Sequence, residues 1–157
     1  MEKETLKEKI AILEKALEKL NKQENLHVLI KKLHPDAVIP SYAHETDCGM
    51  DLTAVSKTFD EYGNVVYGFG LAFEIPEGYA GFIFPRSSNH KSGLLLTNSV
   101  GVIDAGFRGE VTAKFASRKF ISYEGVVKPT FYVDDIYNIG DRVAQMVILP
   151  YPKVEFV

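Results

Sequence analysis

At 157 residues, with a formal net charge of −3 and 25% charged side chains, the chain has the length of one domain built on one hydrophobic core. The slightly acidic balance, without a basic run, excludes a duplex nucleic-acid binder that gains affinity by neutralising phosphates, while a free nucleotide stays compatible. A single cysteine, Cys48, excludes an internal disulfide and an all-cysteine metal site, and no apolar run reaches membrane-spanning length, so a cytoplasmic protein with no signal peptide and no membrane partner is expected.

From Leu6 to Leu20, apolar Leu6, Ile10, Leu13, Leu17 and Leu20 recur at alternating spacings of four and three among Glu and Lys, which predicts an amphipathic helix. Thr5 followed by Glu8 forms a capping box at its start. The seam fits a heptad with Ile10 and Leu17 at a, and Leu6, Leu13 and Leu20 at d, yet a helix this short is marginal alone. Two packings satisfy it: a stripe laid on its own domain, or an intersubunit bundle tethered by a core that already oligomerises. Asn21 to Asn25 reads as a break, giving a helical element over 1–24 and a body over 25–157.

Past Asn25 the pattern changes to short apolar runs punctuated by Pro, Gly and Asn, the pattern of a mainly β sandwich or barrel. Strands are predicted over Leu26–Ile30, Met50–Ala54, Val111–Phe115, Arg142–Leu149 and Val154–Val157. Leu71–Ile75 and Tyr79–Phe84 read as a pair joined by the turn Pro76-Glu77-Gly78. The segment 116–139, rich in aromatics such as Phe120, Tyr123, Phe131, Tyr132 and Tyr137, reads as an extra hairpin whose rings pack on a neighbouring strand or subunit.

The stretch PRSSNHKSGLLLTNSVGVIDAGFRGEV, Pro85 to Val111, concentrates the chemistry. Arg86, Ser87 and Ser88 combine a planar cation, two hydroxyls and turn-forming backbone, which suits phosphate oxygens. Leu94 to Leu96 reads as a buried run, Asn98, Ser99 and Gly101 as a turn, and Val102 and Ile103 as the return strand of a tight hairpin. Asp104 follows at a strand end beside Gly106 and Gly109, where backbone can bend and a ligand can approach closely. His27, His34, His44 and His90 lack zinc-site spacing. Cys48 is expected as a small buried neighbour of the site.

PRSS at Pro85–Ser88, GVIDAGFRGEV at Gly101–Val111, DCGMDL at Asp47–Leu52 and GDRVAQM at Gly140–Met146 occur in the order of four motifs of the trimeric dUTP diphosphatase (dUTPase) family, which the chain resembles over roughly Leu26 to Tyr151. The resemblance implies a jelly-roll-like β-barrel fold, with the N-terminal α-helix added to it, assembled as a homotrimer with sites shared between subunits. It implies hydrolysis of dUTP to dUMP and pyrophosphate, with Mg2+ as cofactor. Asp104 matches the aspartate that activates the attacking water. Arg86, Ser87 and Ser88 match the phosphate-binding motif, and Gln145 the amide that reaches phosphates or water. Asn98 and Gly101 match the hairpin that reads the uracil edge. Phe107 stands where the family usually has a tyrosine packed on the deoxyribose, and keeps the ring face that excludes a 2′-hydroxyl. Asp51 matches the aspartate that holds a water of the substrate-bound magnesium. Arg142 fits an intersubunit ion pair and a substrate contact equally.

The family's C-terminal Arg-Gly-x-x-Gly-Phe-Gly-Ser-Thr arm does not occur among these residues, so closure of the site by other means, slow turnover, or binding without turnover is expected. Two rivals follow. A dCTP deaminase-like enzyme shares the Arg-Ser-Ser motif but needs a catalytic glutamate where Lys114 stands. A nucleotide-binding regulatory or interaction protein would use the helix to engage a partner, but would not need Asp104 as a base.

Overall fold

The strand β9 (Thr112–Ser117) reads T-A-K-F-A-S and buries Ala113, Phe115 and Ser117 while Thr112 and Lys114 face outward. That period of two is what a pleated strand with one covered face requires. In the computed structural model, described for residues 2–21, 25–123, 125–130 and 136–157, with side chains for 6–15, 17, 25–118, 125–126 and 136–157, such strands make two four-stranded antiparallel sheets. One has the order β2 (Met50–Thr53), β12 (Arg142–Pro150), β6 (Tyr79–Pro85), β8 (Gly101–Ile103). The other has the order β3 (Ser56–Phe59), β4 (Val65–Gly68), β9, β7 (Leu94–Leu96). Leu52, Ile83 and Met146 of the first sheet and Val65, Tyr67, Leu94 and Phe115 of the second join in one buried cluster, as two packed inner faces do. β1 (Leu29–Lys32) and β5 (Leu71–Glu74) form a smaller sheet, as do β10 (Lys119–Tyr123) and β11 (Val126–Thr130). The result is mainly β and double-layered; the described strands make separate sheets and not one closed ladder.

The β10–β11 hairpin is the extra hairpin expected within 116–139. Of its aromatics, Phe120, Tyr123, Phe131 and Tyr132 lie outside the described side chains, whereas Tyr137 packs edge-on against Tyr67 and Phe115, at centroid distances of 6.1 and 6.3 Å.

Several expectations need correction. Leu71–Ile75 and Tyr79–Phe84 are not paired with each other: β5 pairs with β1, while β6 lies between β12 and β8. The Pro76–Gly78 turn, with Gly78 at φ 84°, therefore carries the chain between sheets. The tight hairpin after Leu96 is also absent. β7 pairs with β9 and β8 with β6, so residues 97–100 form a corner that passes the chain from one sheet to the other, with Ser99 in the left-handed region at φ 60°. Leu94 to Leu96 is not a buried run, because Leu95 is 54% exposed between two buried neighbours. The first strand begins at Leu29, and Val154–Val157 is exposed and outside any strand.

Helix α1 (Glu2–Asn21) forms where the heptad predicts it. The Thr5 cap and Leu20 lie outside the described side chains. Leu6, Ile10, Leu13 and Leu17 are all exposed, Leu13 at 67%, so the chain's own domain does not cover the stripe. No described helix is long and apolar enough to cross a membrane.

Candidate functional site

Two groups of residues flank β6. The first is assembled by the β2–β12–β6 pairing, which sets Gln145 opposite both Asp51 and Phe84, and Ala144 opposite Pro85. Arg86 leaves the end of β6 there and donates Nε to Asp51 Oδ1 at 2.6 Å, while Arg142 donates Nη1 to Asp51 Oδ2 at 3.0 Å. One carboxylate between two guanidiniums leaves a local excess of positive charge, which favours an anionic ligand. Arg86 also donates Nη1 to Ser88 Oγ at 3.3 Å, and Ser87 and Ser88 open the 3₁₀ turn η1 (Ser87–Lys91). Gln145 donates Nε2 to Pro85 O at 3.0 Å. Its amide lies over Gly49, where a Cβ would fall 2.5 Å from Oε1, so the glycine of DCGMDL makes room for the amide. Arg142 is thus held within its own chain, and Cys48, expected to be buried here, is exposed in the loop before β2.

The second group surrounds the corner and the end of β8. Asn98 and Gly101 line a cavity of about 270 Å³ with Ile83, Leu96 and Lys114. Asp104 follows β8, and its carbonyl accepts from the Phe107 N–H at 3.0 Å, closing a turn through Ala105 and Gly106. Phe107 is 42% exposed and its ring lies over Gly109, where a Cβ would fall 2.8 Å from Cζ. It is therefore not an ordinary core phenylalanine. Arg108 braces the turn by donating Nη1 to Phe107 O at 3.0 Å, and it pairs with Glu74 at 3.6 Å. Asp104 opens onto a cleft of about 630 Å³ that His27, Glu74, Glu77 and Lys153 also line.

The structure thus brings together Asp51, Arg86, Ser88 and Gln145; Asn98 and Gly101 line one cavity, Asp104 and Phe107 close a turn beside another, and Asp104 is set apart from Arg86. Ile103, just before Asp104, pairs with Gly81, and Arg86 follows Pro85. At about 3.3 Å per residue, this part of the seven-residue β6 separates Asp104 from Arg86 by roughly 20 Å.

Three further residues support these groups: Glu110 stands inside the GVIDAGFRGEV motif, whereas no linear motif reveals the partnership of Asn89 with Tyr137. Glu110 Oε1 accepts from the Gly70 N–H at 2.8 Å, where Gly70 takes φ 62°. Asn89 and Tyr137 hydrogen-bond beneath η1 at 3.1 Å. Burial pushes the Tyr137 and Tyr67 hydroxyls above the ordinary tyrosine range, so both remain neutral donors near neutral pH. Lys114 is drawn outward to Asp60 at 3.6 Å. Asp60 is held below the usual carboxylate range first by the Asn64 backbone N–H. Among the described residues no group of three or more His, Cys, Asp or Glu is arranged to hold a metal.

Residues 36–157 match a family model described as dUTPase. The chain is 35% identical over 127 residues to a deoxyuridine 5'-triphosphate nucleotidohydrolase of Rhodococcus erythropolis, covering 80% of this chain and 71% of the relative. It is 37% identical over 135 residues to one of Hydrogenobaculum, covering 84% and 85%. Among solved structures it is similar to a mutant dUTPase from phage phi11 of S. aureus, with 25% identity, a TM-score of 0.64, and coverage of 83% of this chain and 96% of the other; that structure is described as revealing the coordination of a structural Mg(II) ion.

Proposed function

The chain belongs to the dUTPase family, and from that premise we propose that it hydrolyses dUTP to dUMP and pyrophosphate at sites that two copies of the chain build together. The observation that carries this reading is the separation of Asp104 from Arg86 along β6. A base about 20 Å from the phosphate-binding cations cannot serve the same nucleotide, so Asp104 of one copy serves the Asp51–Arg86–Gln145 group of another. A closed ring of three copies satisfies such a heterologous contact.

In this reading the corner at Asn98 and Gly101 receives uracil, and its backbone and amide leave polar groups unmatched when cytosine enters. The half-exposed ring of Phe107 lies against the deoxyribose, where it excludes a 2′-hydroxyl. Arg86, Ser87 and Ser88 hold phosphate oxygens by charge-assisted hydrogen bonds, and Gln145 directs its amide at phosphate or water. Asp104 takes a proton from the attacking water as its oxygen bonds to the α-phosphorus, and pyrophosphate leaves with the electrons of the broken P–O bond.

Magnesium fits the donor set as a partner of the triphosphate and not as an ion caged by protein. Mg2+ keeps several waters and takes one or two carboxylates plus substrate phosphates, and Asp51 supplies one carboxylate beside the phosphate-binding turn. Asp51 would hold it through water, and the ion would offset charge on the phosphates. Lys114 opposes a deaminase, because an ammonium drawn to Asp60 cannot exchange protons as a carboxylate does.

The test is pyrophosphate release from dUTP with Mg2+, beside dCTP, dTTP and UTP, by the wild type and Asp104→Asn. Selective dUTP turnover that falls at least about 100-fold in the variant is expected. Equal turnover of the nucleotides, or an active variant, would contradict the assignment.

A further inference from the structure

A five-residue 3₁₀ helix is a weak unit, since its hydrogen-bond geometry is poorer than that of an α-helix. η1 has the further handicap that Arg86, at its N-cap, makes no side-chain cap. Its local bonds, from Asn89 N–H to Arg86 O at 2.9 Å, from Ser92 N–H to Asn89 O at 3.0 Å and from the His90 ring to Ser87 O at 2.8 Å, hold the shape of the turn but not its place in the molecule. Its place is set from two sides. On the outer side Arg86 is tied to Asp51. On the inner side the buried Asn89 donates Nδ2 to Leu94 O at 3.1 Å, and its Oδ1 accepts from Ser92 Oγ at 2.9 Å and from Tyr137 Oη at 3.1 Å.

Tyr137 comes from the segment between β11 and β12, 48 residues further along the chain, and it is itself clamped. Its carbonyl accepts from Tyr67 Oη at 3.0 Å and from Lys57 Nζ at 3.2 Å, and its ring packs edge-on against Tyr67 and Phe115. A side chain fixed by β3, β4 and β9 therefore holds the underside of the turn that carries Arg86, Ser87 and Ser88.

We infer that Tyr137 is a positioning residue for triphosphate binding, acting through Asn89 Oδ1 to fix the Arg86–Ser88 turn against the second sheet. The inference rests on the reading of that turn as the phosphate site. When phosphate oxygens engage the Arg86 guanidinium, the Asp51 pair is shared with the ligand, and the Asn89–Tyr137 bond remains to resist displacement of the turn. Tyr137 touches no nucleotide in this arrangement. It gives the segment that precedes the last strand a part in binding, and burial keeps its hydroxyl a donor around neutral pH.

The test is Tyr137→Phe in the full chain, which keeps the ring and removes only the hydroxyl. Calorimetry measures the affinity for a non-hydrolysable imido analogue of dUTP and for deoxyuridine, alongside the melting temperature. The analogue's affinity is expected to fall about fivefold, the worth of one buried hydrogen bond, while deoxyuridine, which carries no phosphate, binds as before. A variant that binds the analogue as well as the wild type does would overturn the role of Tyr137, as would equal losses for both ligands, which mark general loosening. Wild-type protein that bound deoxyuridine but not the analogue would remove the phosphate reading itself.

Discussion

At the scale of single residues, Gly49 shows how a motif encodes space as well as chemistry. Its φ is not in the left-handed region, so Ala is allowed by the backbone, yet a Cβ would meet the Gln145 amide at 2.5 Å. That amide is the far end of a flexible side chain and can move aside at small cost to stability, whereas the active arrangement needs it in place. Gly49→Ala is therefore expected to leave the melting temperature nearly unchanged and to lower kcat/KM about tenfold, which one misplaced hydrogen-bond donor costs. Kinetics and a thermal melt on the same sample check it; an unchanged kcat/KM would count against a role for Gln145. Asp51, Arg86, Asp104 and Gln145 are proposed from the order of four short motifs, and Gln145 outside that set would read as an ordinary sheet residue. The Asp51 ion pairs with Arg86 and Arg142 were not legible, since only the pairing of β2, β12 and β6 brings residues 35 and 91 positions apart into contact. Asn89 escaped notice for the same reason, because the hydrogen bond from Tyr137 comes from the segment before β12.

At the scale of elements, the heptad named helix α1, and exposure of Leu6, Ile10, Leu13 and Leu17 removes packing on the parent domain from the two readings. We propose the other of the two, a bundle between copies. In a parallel bundle Lys9 at g faces Glu14 at e of the neighbouring copy, an opposite-charge contact that five residues of separation deny within one helix. Ile10→Asp combined with Leu13→Asp is expected to raise at least tenfold the concentration at which the copies dissociate, and to leave dUTP turnover per assembled copy unchanged. Sedimentation over a dilution series reads the first and pyrophosphate release the second; an unchanged dissociation midpoint would exclude the bundle. The strands were legible in existence more than in partnership. Short apolar runs marked β5, β6, β7 and β8, but the eye joins neighbours in sequence, whereas the φ 60° of Ser99 and the φ 84° of Gly78 send consecutive strands into different sheets.

At the scale of the whole molecule, Asp104 and the phosphate-binding cations are far apart. Asp104 stands beside the start of β6, and the arginines and the 3₁₀ turn at its other end. A sequence lists these motifs in one line, and only the family resemblance implies a site shared between subunits. In the proposed reading one chain holds two half-sites, and assembly is a condition of the chemistry and not an accessory to it. The most direct measurement is complementation between two inactive variants, Asp104→Asn and Arg86→Ala, refolded separately and then together. Each variant alone is expected to release little pyrophosphate from dUTP, whereas an equal mixture should regain up to about a quarter of wild-type activity, the share of random neighbouring pairs that unite an intact Asp104 with an intact Arg86 across a subunit contact. Mixed assemblies that form, as tagged co-purification shows, yet stay as inactive as either variant would contradict a site shared between copies.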